Sequence, residues 1–132
     1  MSYLLDTHGF IWAVMQPGKL SSRARVILED PASEVLVSAV TFWEIALKSA
    51  LGKLTLEGCT AESLVQTARE QRFGLLGLEP QTAAGVARLP STLHRDPFDR
   101  MLVWQAISGR YALVTRDRAL SVFASYGLST LW

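Results

Sequence analysis

The chain has 132 residues, 49% of them hydrophobic and 19% charged, with a formal net charge of +1. This composition excludes a disordered chain, and the small net charge excludes nucleic-acid binding by the whole surface, so any such contact needs a local basic patch. The single cysteine, Cys59, excludes an internal disulfide framework, and the apolar runs are too short to span a membrane, so we expect a soluble cytoplasmic protein.

Short apolar segments alternate with amphipathic segments along the chain, and Pro and Gly mark many of the boundaries between them. In chain order, we predict a strand over 2–5, helices over 7–15 and 23–29, a strand over 34–37, helices over 38–51 and 60–72, a strand over 73–78, helices over 79–88 and 97–108, a strand over 112–115, a helix over 118–126 and a strand over 128–131. This alternation predicts a three-layer α/β/α sandwich around a mainly parallel sheet of four to five strands. We expect residues 1–132 to form a single domain.

The segment His94-Arg95-Asp96-Pro97-Phe98-Asp99-Arg100 has the pattern of a helix start. Asp96 stands at the N-cap position, Pro97 at the first helical position, and Asp99 three residues after the cap. Acids at a helix N-terminus accept hydrogen bonds from free N–H groups and interact favourably with the helix dipole. Capping alone therefore accounts for both acids, and their placement relative to other acids decides whether they also have a function.

Other acids lie close to the predicted carboxyl ends of the strands. Asp6 ends the first strand, Asp117 follows the fourth, and Glu44 lies within two turns of the start of the helix after the second. Parallel strands all end at the same edge of a sheet, and the helices that follow them begin there. We therefore expect these acids to meet Asp96 and Asp99 at one edge.

Each of these acids also has a structural explanation. Asp6 and Asp117 can cap the helices that follow them. Glu44 forms a capping box with Thr41 if its helix begins late, and with Lys48 it makes an i,i+4 pair worth only about 0.2–0.5 kcal/mol on a surface. These explanations do not predict clustering, and crowded carboxylates repel one another unless a cation neutralises them. The placement therefore favours a hard divalent cation, Mg²⁺ or Mn²⁺, held by oxygen ligands.

An acidic site that binds such a cation is suited to the hydrolysis of phosphodiesters. Basic side chains flank the acids in the sequence: Arg95, Arg100, Arg116, Arg118 and Lys48. Arginine suits bidentate contact with phosphate, so these residues are candidates for substrate binding. Balancing the charge of the acids is the alternative explanation for each of them.

Four spaced motifs and the C-terminal Leu131-Trp132 resemble PIN domains, and more narrowly the VapC-type toxins of bacterial toxin–antitoxin pairs. The motifs are Leu4-Leu5-Asp6-Thr7-His8, Phe42-Trp43-Glu44-Ile45-Ala46-Leu47-Lys48 with Gly52-Lys53-Leu54, His94-Arg95-Asp96-Pro97-Phe98-Asp99-Arg100, and Leu113-Val114-Thr115-Arg116-Asp117. The resemblance extends over essentially the whole chain and implies one nuclease domain. It implies an endoribonuclease that depends on Mg²⁺ or Mn²⁺, is inhibited by an antitoxin protein covering the acidic groove, and commonly forms a homodimer.

Within this resemblance, the acids match positions of the family's site. Three match its core metal acids: Asp6, Glu44 and Asp99. Asp117 matches a fourth and more variable acid, Asp96 an accessory acid, and Thr115 a hydroxyl residue beside the site. The resemblance therefore implies that these residues hold the metal or lie next to it.

Three further side chains near the motifs have simpler interpretations. His94 is expected at the start of the helix or on the surface, and His8 is expected to pack on the first helix. Zinc is not favoured, because no second nitrogen or sulfur ligand stands at a suitable spacing. Trp104 stands where many PIN relatives have a small residue, and we expect it to change packing or a partner surface.

Three other functions compete with the nuclease as explanations of the acids. A signalling receiver domain also has acids at one sheet edge, but it needs a lysine after the last strand, and the chain ends Ser129-Thr130-Leu131-Trp132. A catalytically weak PIN-like binding module typically loses acids that this chain keeps. A metal-dependent DNA nuclease or phosphatase would use the same acids, and the sequence does not reject it.

Overall fold

The computed structural model describes residues 1–132 and contains a five-stranded sheet. The strands are β1 (Ser2–Leu5), β2 (Glu34–Ser38), β3 (Gly74–Leu76), β4 (Ala112–Val114) and β5 (Ser129–Leu131). All neighbouring strands pair in parallel, in the order β3-β2-β1-β4-β5, with Leu4 of β1 opposite Leu36 of β2 and Leu113 of β4. The predicted parallel α/β sheet is confirmed.

The helices are α1 (Thr7–Met15), α2 (Ser22–Glu29), α3 (Ala39–Ala50), α4 (Ala61–Glu70), α5 (Pro80–Gly85) and α6 (Pro97–Gly109). Short 3-10 segments cover Pro17–Lys19 and Val86–Arg88, and a longer one covers Arg118–Tyr126. None of the helices has the length and apolar character needed to cross a lipid bilayer.

Three predicted elements differ from the structure. Residues 118–126 are 3-10 rather than α-helical, which fits the three-residue spacing of the buried Leu120 and Phe123. The predicted helix over 79–88 divides into α5 and a 3-10 turn. The third strand is shorter than predicted, because β3 is an edge strand that pairs only with β2.

The sheet separates two apolar cores. On one face, strand residues such as Leu4, Leu36 and Leu113 pack against α6 and the C-terminal 3-10 helix. On the other face, strand residues such as Leu5 and Val37 pack against buried residues of four helices, α1 to α4. Successive strand side chains point to opposite faces, so continuous apolar strands supply both cores and give the three layers predicted from the sequence.

The strand order creates a crevice at the carboxyl edge of the sheet between β1 and β4. The chain leaves β1 to build β2 and β3 on one side, and it returns to build β4 and β5 on the other. In open α/β sheets, ligands bind where the strand order reverses in this way. Asp6 follows β1 and Thr115 follows β4, so these two residues stand at the crevice.

Candidate metal centre

Asp6 is fixed at the crevice through both of its carboxylate oxygens. It caps α1, with Oδ1 accepting a hydrogen bond of 2.6 Å from the backbone N–H of Gly9. Oδ2 accepts a hydrogen bond of 2.7 Å from the Thr115 hydroxyl across the crevice. Burial raises the pKa of Asp6 above 3.8, although both hydrogen bonds oppose the shift, and the charge of Asp99 adds to it. Capping and a site role are therefore compatible at Asp6.

Gly9 is a site residue that the sequence analysis missed. A Cβ atom at this position would lie 2.8 Å from Asp6 Oδ1, too close for the carboxylate to keep its place. Gly9 also lies inside α1, where glycine is unfavourable. A glycine three residues after an acid at a helix start is the sequence signal that could have identified it.

Thr115 connects two of the predicted acids. Its buried hydroxyl donates to Asp6 and accepts a hydrogen bond of 3.0 Å from the backbone N–H of Asp117. Asp117 Oδ1 in turn accepts a hydrogen bond of 2.9 Å from the backbone N–H of Ala119 and so caps the 3-10 helix. One hydroxyl group thus sets the positions of the segments that carry both acids.

The two acids of α6 have different surroundings. Asp96 is the N-cap, and its Oδ1 accepts a hydrogen bond of 2.9 Å from the backbone N–H of Asp99. Asp99 Oδ2 lies 2.9 Å from His94 Nε2, which donates if the carboxylate is ionised. Burial raises the pKa of Asp99, the charges of Asp96 and Glu44 raise it further, and His94 opposes the shift.

His94 stands at the entry to α6, which was one of its two expected places, but it is not a free surface residue. Its ring is only 19% exposed and holds Asp99, instead of standing free on the surface. The Arg100 guanidinium helps to place it, because it donates to the carbonyl oxygens of Leu89, Pro90 and His94 at 2.7–3.0 Å. Arg100 was expected to contact substrate, but its donors are used to hold this backbone segment.

Glu44 is the most buried of the predicted acids, at 3% exposure. The Thr7 hydroxyl donates to its Oε1 at 2.6 Å, and the Lys48 ammonium group forms an ion pair with Oε2. The capping box with Thr41 is wrong, because α3 begins at Ala39 with Ser38 as its cap. The predicted i,i+4 pair with Lys48 forms, but it is not a surface pair, since the carboxylate is inside the protein.

Lys48, a candidate for substrate contact, is engaged with Glu44 in the structure. Burial alone would lower the pKa of its ammonium group, but the hydrogen bond to Glu44 and the charges of Glu44, Asp96 and Asp99 outweigh burial and raise it. The ammonium group also lies 5.6 Å from the centre of the Phe98 ring. The Lys48 ammonium group thus balances the charge of Glu44.

Four other predicted side chains lie outside this network. Arg95 is exposed, and Arg116 is exposed with its guanidinium 5.8 Å from the centre of the Trp12 ring. His8 packs on the same Trp12, at 5.7 Å between ring centres, as expected. The Trp104 ring packs against α5, where a Cβ atom at Gly85 would lie 3.0 Å from its Nε1. Trp104 is therefore a packing residue, as expected.

The acids come together closely enough to suit a cation. His94, Asp99 and Asp117 each present a ligand atom within 4.8 Å of the others, and Asp6 is tied to this group through Thr115. The ionised forms of two of the acids, Asp6 and Asp99, are disfavoured, as their raised pKa values show. Carboxylate oxygens are the donors that fit Mg²⁺ or Mn²⁺, with His94 holding Asp99 in place, and a cation would relieve the repulsion.

Known proteins are similar to this chain over nearly its whole length. Residues 3–126 match the PIN domain family. The chain belongs to the PIN domain family. Within it the chain is of the VapC type, being 33% identical to Ribonuclease VapC22 of Mycobacterium tuberculosis over 129 residues, which cover 98% of this chain and 97% of that protein.

Solved structures share the fold of this PIN domain protein at low sequence identity. The VapBC2 complex of Rickettsia felis, bound to a DNA fragment from its promoter, superimposes with a TM-score of 0.70 at 14% identity, covering 99% of this chain and 98% of that chain. A toxin–antitoxin complex from Klebsiella pneumoniae gives a TM-score of 0.62 at 18% identity, covering 98% and 96%. The three-layer PIN architecture therefore extends over the whole chain.

Proposed function

We propose that this PIN domain protein is a metal-dependent endoribonuclease, the toxin of a toxin–antitoxin pair that acts in the cytoplasm. The observation that carries the proposal is the convergence of Asp6, Thr115, Asp99 and Asp117 on the β1–β4 crevice in a chain related to a VapC ribonuclease. The 132 residues act as one nuclease domain.

Asp6, Asp99 and Asp117 are the proposed metal ligands, with Glu44 and Asp96 as neighbouring charges. When bound, Mg²⁺ or Mn²⁺ supplies Lewis acidity at the scissile phosphate and neutralises charge that develops on the leaving oxygen. The residues around these acids hold them in place: Gly9 and Thr115 fix Asp6, and His94 orients Asp99. Such second partners set the direction and basicity of metal ligands.

Glu44 contributes to this centre as a charge that Lys48 already balances. With both of its oxygens engaged, Glu44 supports the site through Thr7, which directly follows Asp6 and starts α1. We therefore propose that Asp6 and Asp99 are the acids whose loss removes activity most completely.

The antitoxin is the proposed protein partner, and α3 offers a surface for it next to the acids. Trp43, Leu47 and Leu51 are 58%, 40% and 59% exposed and stand one helical turn apart. The Trp43 ring packs on Phe98 of α6, at 4.8 Å between ring centres, so this apolar stripe continues to the metal centre. A neighbouring small reading frame whose product binds the chain and blocks cleavage would support the pairing.

The decisive experiment is cleavage of single-stranded RNA with Mg²⁺, with Mn²⁺ and with EDTA. We expect cleavage only with the metals, and at least about 100-fold loss for Asp6→Asn and Asp99→Asn. Asp30→Asn is the matched control, because Asp30 also accepts a backbone hydrogen bond, from Ala32, but it precedes β2 at the other edge of the sheet. Equal activity of the two site variants and the wild type, or cleavage of DNA alone, would contradict the proposal.

A further inference from the structure

A groove of about 790 Å³ opens at the β4–β5 end of the crevice. It shares Thr115 and Asp117 with the metal centre, and Leu131 and Trp132 form an apolar part of its wall. The rest of the lining is polar and includes three arginines, from α2, the loop after β4 and the C-terminal 3-10 helix: Arg23, Arg116 and Arg118. The groove is thus continuous with the acids but has the opposite charge.

The three arginines have no counter-charge of their own within the fold. Arg23 lies in the first turn of α2, Arg116 follows β4, and Arg118 begins the C-terminal 3-10 helix. All three are exposed, and none forms an ion pair or a side-chain hydrogen bond; the two ion pairs of the structure are Lys48–Glu44 and His94–Asp99. Arg100 differs from these three arginines, because its N–H groups donate to backbone carbonyl oxygens.

Bringing three guanidinium groups to one groove costs electrostatic free energy unless an anion lies between them. Asp117 has the one acidic side chain in the lining, against three arginines, so the side chains give the groove a positive charge. Guanidinium groups present planar pairs of N–H donors that match phosphate oxygens, and free donors in a groove open to solvent are suited to a ligand with several phosphates.

We propose that this groove binds the phosphate backbone of the RNA strand on one side of the cleaved bond, an inference that rests on the proposed function. A strand whose scissile phosphate lies at the acids must leave the crevice, and the groove that shares Thr115 and Asp117 is a direct continuation. Trp132 lines the groove while its ring packs edge-to-face on Trp12, and an aromatic residue at this place can stack with an unpaired base, so we expect the groove to favour single strands.

The test compares Arg23→Gln, Arg118→Gln and the double variant with Arg69→Gln. Arg69 is an exposed arginine of α4, a helix that packs near β3 at the opposite edge of the sheet, so it matches the change in charge without touching the groove. Binding of a labelled 12-nucleotide RNA is followed by fluorescence anisotropy in the Asp99→Asn background with Mg²⁺ over a range of salt concentrations. This readout does not require cleavage.

Each lost phosphate contact on a single strand lowers the slope of log K against log salt by about 0.7, so we expect a decrease of about 1.4 in the double variant. We also expect its Kd for the RNA to rise about tenfold at low salt, while Arg69→Gln and the binding of adenosine monophosphate stay unchanged. In the cleavage-competent background, KM should rise with little change in kcat.

An unchanged slope and Kd in the double variant would overturn the proposed strand groove, even if the wild type cleaves RNA. An equal loss of mononucleotide binding would also overturn it, because the groove would then be a site for one phosphate. If the wild type cleaves no RNA but the arginine variants still lose strand binding, the metal-dependent activity is wrong and the groove stands.

Discussion

Removal of the Lys48 ammonium group is expected to destabilise the fold through the carboxylate that it leaves behind. The Glu44 side chain is 4% exposed, and its oxygens have one partner each, the Thr7 hydroxyl and the Lys48 ammonium group. Lys48→Met keeps most of the aliphatic stem of the side chain and removes the ammonium group, which lies 5.6 Å from the centre of the Phe98 ring. Glu44 then has a buried charge with a single hydrogen-bond donor.

The burial of the two partners sets the size of the effect. Removing one partner of a fully buried ion pair costs about 3–5 kcal/mol. The Lys48 side chain is 30% exposed, so water reaches the pair from that side, and we expect a loss of about 2–3 kcal/mol for Lys48→Met. Glu44→Gln removes the charge instead and costs about 1 kcal/mol, since Lys48 can turn to solvent. The double variant should be more stable than Lys48→Met by about 1 kcal/mol.

Urea and thermal denaturation in EDTA measure these differences. For a domain of this size, Lys48→Met should lower the Tm by about 10 °C. Lys53→Met, in an exposed loop, is the control and should leave the Tm within about 2 °C. Strict additivity of the two single changes, or a loss below about 0.5 kcal/mol for Lys48→Met, would refute the idea that Lys48 balances Glu44.

Three further predictions concern the metal centre. Gly9→Ala should reduce cleavage at least about tenfold with the fold retained by circular dichroism, because its Cβ displaces the Asp6 carboxylate; full activity would contradict this. Thr115→Val should lower the free energy of unfolding by about 1–3 kcal/mol in urea denaturation and should lower kcat. Thr115→Ser keeps the hydroxyl group between Asp6 and Asp117 and should change neither. Equal losses in the two variants would argue against a hydroxyl bridge between the two acids. Mg²⁺ at 100 times its Kd should stabilise the wild type by about 2.7 kcal/mol. The stabilisation should be larger at pH 7.5 than at pH 5, and much smaller in Asp99→Asn. Thermal shifts independent of pH and of Asp99 would exclude this site.

The sequence predicted the fold because local signals and topology agreed. The bounds of β1 and α1 are those predicted, since Asp6 both ends an apolar strand and caps a helix. The parallel sheet then requires the acids that follow its strands to share an edge. The sequence did not predict the short length of the edge strand β3 or the 3-10 form of residues 118–126.

The contacts of the site were harder to predict, because they depend on packing between distant segments. From the sequence alone, Glu44 and Lys48 look like a surface pair. The carboxylate is buried only because α3 packs against α6 in the fold. His94 reaches Asp99 only because Arg100 folds the preceding segment back through carbonyl hydrogen bonds. The periodicity of the sequence predicts neither the burial of Glu44 nor the contact between His94 and Asp99.

The raised pKa values of Asp6 and Asp99 explain why the effect of the metal should depend on pH. When the folded pKa of an acid exceeds its reference value of 3.8, folding favours the protonated form. Stability from these groups is then greatest below pH 3.8 and is lost as the pH rises through their folded pKa values, the reverse of a salt-bridged carboxylate. Above these folded pKa values, the metal-free fold keeps two ionised carboxylates in an unfavourable environment. A divalent cation binds only the ionised form, so its stabilising effect grows over the same pH range in which the metal-free protein loses stability.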